Sequence, residues 1–246
     1  MKDRPKGKKL EYVLGLINQA PVSDLILLPE IWPCGYFSFD RYRAESEPLD
    51  GPTVAALRKK AIERECHILM GSLVERDGEN LFNTSLLLNP QGRIMAQYRK
   101  IHLFGYQSEE KRILTPGKEV VVVETPWGMA GISTCYDLRF PEFYRRMVDR
   151  GATLFLVPSA WPSVRLEAWA LFNRARAHEN LAYLFSCNCA GSNAGKHYAG
   201  HSMIIDPLGK VIAEGGEGEC FVSAEVDPDL VFSVRKDFSA LDDRVF

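Results

Sequence analysis

The chain has 246 residues and a net charge of −2, with 46% hydrophobic and 25% charged residues. That length suits one large domain with a packed core, and the composition excludes a disordered or fibrous chain. A nearly balanced charge offers no basic field to collect nucleic acid or anionic lipid.

The first nine residues, MKDRPKGKK, are basic, but no apolar run of secretory type follows them. No uninterrupted apolar stretch reaches the roughly 18–20 residues that a membrane helix needs. A soluble, cytoplasmic protein is therefore expected, with no membrane and no nucleic-acid partner. The six cysteines, Cys34, Cys66, Cys135, Cys187, Cys189 and Cys220, are expected to be free thiols in such a compartment.

In chain order, residues 9–19 (KLEYVLGLINQ) space their apolar side chains as a helix does, and 24–28 (DLILL) form a short apolar strand ended by Pro29. A helix is predicted over 52–65, with Pro52 near its start, and a strand over 67–75. Hairpins are predicted over 84–98, 120–134 and 201–215, each turning on four residues that contain Pro and Gly. The first and third look alike, SLLLNPQGRIMAQ against SMIIDPLGKVIAE. Either the fold repeats internally, or hairpin chemistry recurs. Helices over 141–151 and 165–181 flank a strand over 152–161, and LAYLFSCNCA (181–190) is a further buried strand. Cys187 and Cys189 form a Cys-x-Cys pair there, but no second pair with zinc spacing accompanies them, and no metal is expected. These elements imply an α/β fold, with a mixed sheet or two packed sheets covered by helices.

Three short stretches carry chemistry. Glu30 follows an apolar strand in LILLPEIWPCGY, where apolar neighbours strip water from a carboxylate and raise its proton affinity. Lys100 ends a strand in AQYRKIHLFG and is placed to lower a thiol's pKa or to hold an oxyanion. Cys135 sits in ISTCYDLR between a predicted strand and the helix PEFYRRM. Each residue alone has a bland reading: a solvated strand end, or an inert buried thiol. Together, a base, a cation and a nucleophile that each end a hydrophobic strand can converge on one sheet edge.

The segments LPEIW, YRKIHLF and CYDLRFPE, followed by PSAWP, ARAHEN and GHSMIIDPLG, resemble the nitrilase (carbon–nitrogen hydrolase) superfamily over residues 24 to 215. The resemblance implies a four-layer αββα sandwich over one domain, residues 1–246, and a homodimer or higher homo-oligomer. It implies Glu30 as general base, Lys100 as stabiliser of the tetrahedral intermediate and Cys135 as nucleophile, with the Tyr136 N–H in the oxyanion hole. A second glutamate falls in EKRILTPG at Glu110, with Glu109 as the alternative. His201 is read as structural. No cofactor is implied.

The substrate implied is a small amide in the manner of ω-amidases and Nit-type amidases; carbamoyl and aliphatic amides are the alternatives. Arg139, Arg165 or Arg174 suits a substrate carboxylate, and Arg139 and Arg174 suit structural ion pairs equally well. Tyr36, Phe37, Tyr136 and Trp161 lie near the motifs as pocket walls or as core. One departure stands out. The family begins with a strand ahead of the first helix, and here only MKDRPKGKK precedes it. A missing strand would leave an open sheet edge and an impaired scaffold. A metal-binding protein using Cys187 and Cys189 is the remaining rival.

Overall fold

The computed structural model describes residues 4–245. Helix α1 (Lys6–Gln19) buries Val13 and Ile17. It begins before residue 9, where the Lys9 N–H closes the first turn on Pro5 O at 3.0 Å, a polar turn that carries no apolar period. Strand β1 (Leu25–Leu27), a 3₁₀ turn (Phe39–Arg41) and the short helix α2 (Tyr42–Glu45) lead to α3 (Pro52–Arg64). Then come β2 (His67–Leu69), β3 (Leu73–Asp77), β4 (Asn80–Leu88) and β5 (Ile94–Arg99).

The short helix α4 (Glu110–Ile113) opens the second half, followed by β6 (Val121–Thr125), β7 (Gly128–Ile132) and a 3₁₀ turn at Cys135–Arg139. Helix α5 (Pro141–Asp149), β8 (Leu154–Ser159), a 3₁₀ turn (Ser163–Arg165), α6 (Leu166–Asn180) and β9 (Tyr183–Asn188) come next. The small ladder of β10 (Ser192–Asn193) and β11 (Lys196–His197), the hairpin β12 (Met203–Ile205) and β13 (Val211–Glu214), and α7 (Leu230–Asp237) complete the order.

The strands form two main sheets. The first runs β1-β2-β4, with β3 and β5 also paired to β4; the second runs β13-β12-β9-β8-β7-β6. Alternation of side chains sorts the layers. Ile68, Leu86 and Leu88 pack outward with Val13 and Ile17 of α1 and Val54, Leu57 and Ala61 of α3. Their neighbours Leu69, Leu87, Ala96 and Tyr98 face inward, in one core with Ala130, Ile132, Leu154, Leu156, Met203 and Ile205 of the second sheet. That sheet's other face meets α5, where the Phe155 ring lies 4.9 Å from Tyr144. The result is the expected four-layer αββα sandwich.

The strand expected over 67–75 is broken in two. Gly71 adopts φ +70°, and a Cβ there would collide with the Pro29 carbonyl oxygen. The departure expected ahead of α1 falls partly on residues 1–3, outside the described residues. Among the described strands, β1 pairs only with β2, so its other edge meets none of them.

The two look-alike hairpins occupy equivalent places. In the first sheet β1 is parallel to β2, which is antiparallel to β4, which is antiparallel to β5. In the second, β8, β9, β12 and β13 repeat that sequence of pairings. Both hairpins slip register just before the turn, at Leu87/Leu88 and Ile204/Ile205. Asn89 Oδ1 caps one turn by accepting from Gln91 and Arg93 N–H, and Asp206 Oδ1 caps the other from Leu208 and Lys210 N–H. The helix before each hairpin reaches over to it: Arg58 Nε donates to Gly92 O at 2.6 Å, and Arg174 Nε to Gly209 O at 3.1 Å. The likeness is therefore an internal repeat of strand, helix, strand and hairpin.

This topology brings four strand ends together. β1 and β5 run the same way in one sheet, and β7 and β8 the same way in the other. Residues just past their C-terminal ends meet at one end of the sandwich.

Candidate active site

Glu30 comes from the turn after β1. The turn is clamped by the break between β2 and β3: Ser72 N–H donates to Pro29 O at 3.2 Å, the Ile31 N–H to Ser72 Oγ at 2.9 Å, and Trp32 Nε1 to Met70 O at 2.9 Å. Ile31 holds φ +41°, a strained value for a β-branched residue, within this fully buried turn. The Glu30 carboxylate is fully buried. Its Oε1 accepts from Lys100 Nζ at 2.8 Å and Asn83 Nδ2 at 2.8 Å, and its Oε2 from the Ala160 N–H at 3.0 Å.

Lys100 follows β5 and is fixed by its own N–H, which donates to Asn83 O at 2.8 Å. Its ammonium also donates to Glu110 Oε1 and Oε2, at 3.0 and 3.1 Å. Glu110, at the start of α4, is fully buried, and it further accepts from Tyr36 OH at 3.0 Å, the Phe104 N–H at 2.8 Å and Asn83 Nδ2 at 3.1 Å. The alternative, Glu109, is exposed and paired with Arg112. Of the two, Glu110 is the one in the cluster.

Cys135 sits at the turn from β7 into the 3₁₀ segment with φ +49°, a strained backbone that aims a side chain out of the chain path. Asp137 holds that turn. Its buried carboxylate accepts from the Thr134 N–H at 2.7 Å, Tyr98 OH at 2.6 Å and the His102 N–H at 3.2 Å, with His102 Nδ1 at 2.7 Å. The Cys135 turn is thereby tied to the segment that carries Lys100. The thiol lies beside the Glu30 carboxylate and near the Ala160 N–H, close enough for both to act on its proton.

The electrostatics follow from burial. Desolvation pushes the Glu30 carboxyl up; Lys100 opposes this and Glu110 adds to it. Burial and then Glu30 hold the Cys135 thiol well above its ordinary value, against Lys100 and the Ala160 N–H. Burial would lower the Lys100 ammonium, but Glu110 and Glu30 outweigh it and the net shift is upward. At rest the thiol keeps its proton, beside a carboxylate with raised proton affinity and next to a fixed cation. Such a set can pass a proton over one hydrogen bond and stabilise a new anion.

Cys135 opens into a cavity of about 40 Å³ lined by Tyr36, Phe37, Phe104, Tyr136, Arg139, Ala160, Trp161, Pro162 and Arg165. The Arg139 guanidinium lies 4.9 Å from the Phe172 ring centroid and 5.4 Å from that of Trp161. Arg165 lies 5.2 Å from Phe104 and 5.5 Å from Tyr106. Among the described residues neither guanidinium has a carboxylate within salt-bridge distance. The expected ion pair of Arg139 is thus replaced by aromatic faces.

Arg174 is a correction. It is exposed on α6, bonded to Gly209 O as the counterpart of Arg58, and it does not line the cavity. An ion pair, its other expected role, is likewise replaced by this carbonyl. His201 pairs with Glu214 at 2.7 Å, outside the cavity. Cys189 Sγ donates to Glu30 O at 3.6 Å, and the described residues contain no cluster of three or more potential metal ligands.

Sequence reasoning missed Asn83, Ala160 and Asp137. Asn83 was signalled only as a polar residue inside the apolar run LFNTSLLL, and Asp137 lay unread within the quoted CYDLR. A main-chain donor such as that of Ala160 leaves no mark in a sequence.

A carbon-nitrogen hydrolase family model matches residues 7–236. The 2-oxoglutaramate amidase of Paenarthrobacter nicotinovorans is 34% identical, over 96% of this chain and 83% of its own length. That of Bacillus subtilis is 36% identical, over 96% and 90%. Among solved structures, Saccharomyces cerevisiae Nit3, a member of branch 10 of the nitrilase superfamily, superposes with a TM-score of 0.90 at 32% identity, covering 100% of this chain and 93% of that one.

Proposed function

The chain belongs to the carbon-nitrogen hydrolase family, and from that premise we propose that it hydrolyses the amide of a small carboxylate-bearing substrate through a thioester on Cys135. The observation that carries this reading is one fully buried cluster: Lys100 between Glu30 and Glu110, against the Cys135 thiol at the cavity.

Glu30, held through Oε2 by the Ala160 N–H and lying beside the thiol, takes the thiol proton. The thiolate attacks the amide carbon. The oxyanion is held by Lys100, whose ammonium has three protons for two carboxylates and the substrate, and by the Tyr136 N–H. The intermediate collapses, and the leaving nitrogen takes the proton from Glu30 and departs as ammonia. Glu30 then deprotonates a water that attacks the thioester, the acid leaves, and the proton returns to the thiol. Glu110 keeps Lys100 charged and aimed. Every step uses groups of the chain and water, and no cofactor enters. Removing one oxyanion donor typically costs about 3–4 kcal/mol.

The substrate class rests on the two guanidiniums and on relatives named 2-oxoglutaramate amidase. Arg165, from the 3₁₀ turn at the cavity, pairs with the carboxylate remote from the amide; Arg139 and the rings of Tyr36, Phe37, Tyr136 and Trp161 shape the wall. We place the enzyme in the cytoplasm, where the six free thiols stay reduced; no helix of the described residues is long and apolar enough to cross a membrane. We also read residues 1–246 as one domain that works as a homo-oligomer.

An ammonia-release screen tests the substrate. Over 2-oxoglutaramate, its one-carbon-shorter homologue, uncharged aliphatic amides and N-carbamoyl amino acids, the oxo-acid amides are expected to turn over fastest, and Arg165→Ala should raise KM more than it lowers kcat. Fastest turnover of an uncharged amide, or an unchanged KM in that variant, would remove the carboxylate from the reading.

A further inference from the structure

The two carboxylates of the cluster are bridged twice. Lys100 Nζ spans Glu30 Oε1 and Glu110 Oε1 at 2.8 and 3.0 Å, and Asn83 Nδ2 spans the same two oxygens at 2.8 and 3.1 Å. Asn83 is 1% exposed and lies near the start of β4, where its carbonyl also receives the Lys100 N–H. Both of its amide protons go to the two anions. Its Oδ1 is buried and accepts from no donor among the described residues. The amide is oriented by the carboxylates, since turning it over would press its oxygen against both.

We propose that Asn83 is a positioning residue of the reaction: it anchors Glu30 Oε1 and so fixes the carboxylate that serves the thiol, and it holds Glu110 on Lys100. Its neutrality matters. A second cation at this point would lower the proton affinity of Glu30 and spoil it as a base, whereas an amide fixes the geometry with a weaker electrostatic pull. It also spares Lys100, which can then turn a proton toward the substrate without releasing Glu30. The inference rests on the proposed roles of Glu30 and Cys135.

The test is steady-state ammonia release by Asn83→Ala and Asn83→Ser over a range of pH, with Glu30→Gln measured beside them. The groups facing Glu30 are Lys100, Glu110, Cys135, Tyr36, Tyr42 and Cys189, and none of them is changed in the Asn83 variants. Asn83→Ala is expected to lower kcat by about 10- to 100-fold through misplacement of the base, with KM changed less than about threefold. Loss of a donor to the ionised carboxylate raises its pKa, so the acid limb of kcat/KM moves upward by roughly one pH unit. Asn83→Ser, with one hydroxyl donor, falls between wild type and Ala and reports the same shift where Ala does not fold. An acid limb that stays in place, or a loss carried wholly by KM, overturns the proposal. If Glu30→Gln keeps wild-type turnover, the reading of the site itself has failed; if Glu30→Gln is inactive and the Asn83 variants are unaffected, only the role of Asn83 has.

Discussion

Glu30 is the residue on which burial and function pull apart. Its carboxyl is raised by desolvation, so the folded protein binds that proton more tightly than the unfolded chain does. The stability linked to this group is present at low pH and lost as pH rises through the folded pKa. At neutral pH the ionised form is therefore held at a cost. Glu30→Gln removes that cost along with the base. It is expected to abolish amide hydrolysis, yet to melt no lower than wild type by calorimetry near pH 7.5. A lower melting temperature would mean that the Lys100 pairing outweighs burial. In the active enzyme, the same raised affinity sets the acid limb of kcat/KM above the about 4.3 of a free glutamate. Glu30, Lys100 and Cys135 were legible because each stands out in a quoted motif, whereas Glu110 is told from Glu109 only by its burial in the cluster. Asn83 and the Ala160 N–H were not, since their part depends on partners 53 and 130 positions away.

Among the elements, the break between β2 and β3 matters most for the site. Gly71 allows both the left-handed turn and the approach of Pro29 O. Gly71→Ala is expected to destabilise the fold by about 1–3 kcal/mol and to lower turnover by displacing the Glu30 turn; denaturant titration and kcat measure the two effects. The sequence HILMGSLVE shows a strand with a glycine in it, and nothing local says that another backbone presses on that glycine. The hairpins were legible because their turn chemistry is local. Arg174 was misjudged for the converse reason: its acceptor, Gly209 O, is set by a contact 35 residues away. Arg174→Ala should therefore leave KM unchanged and cost about 1–2 kcal/mol of stability, as Arg58→Ala should at the matching position. A rise in KM for Arg174→Ala would return it to the substrate.

Across the whole molecule, two related halves place their strand ends against each other. Sheet one supplies Glu30 and Lys100, and sheet two supplies Cys135 and the Ala160 N–H. Fold class was readable from alternating strand and helix signals. The pairing of the halves was not, because it is a matter of which sheet faces which, settled by inward residues such as Leu69, Tyr98, Ile132 and Leu156. The surface carries exposed Val164 and Leu171, 87% and 63% exposed, beside α6 and on it. If the proposed homo-oligomer forms, light scattering is expected to give a mass at least twice that of one chain; a monomer at working concentration would remove that part of the reading. The whole arrangement stands on Cys135 as the nucleophile, and ammonia release from 2-oxoglutaramate by folded Cys135→Ala, set beside wild type, decides the matter: turnover is expected to be indistinguishable from the uncatalysed rate, and turnover near that of wild type would rule the thioester out.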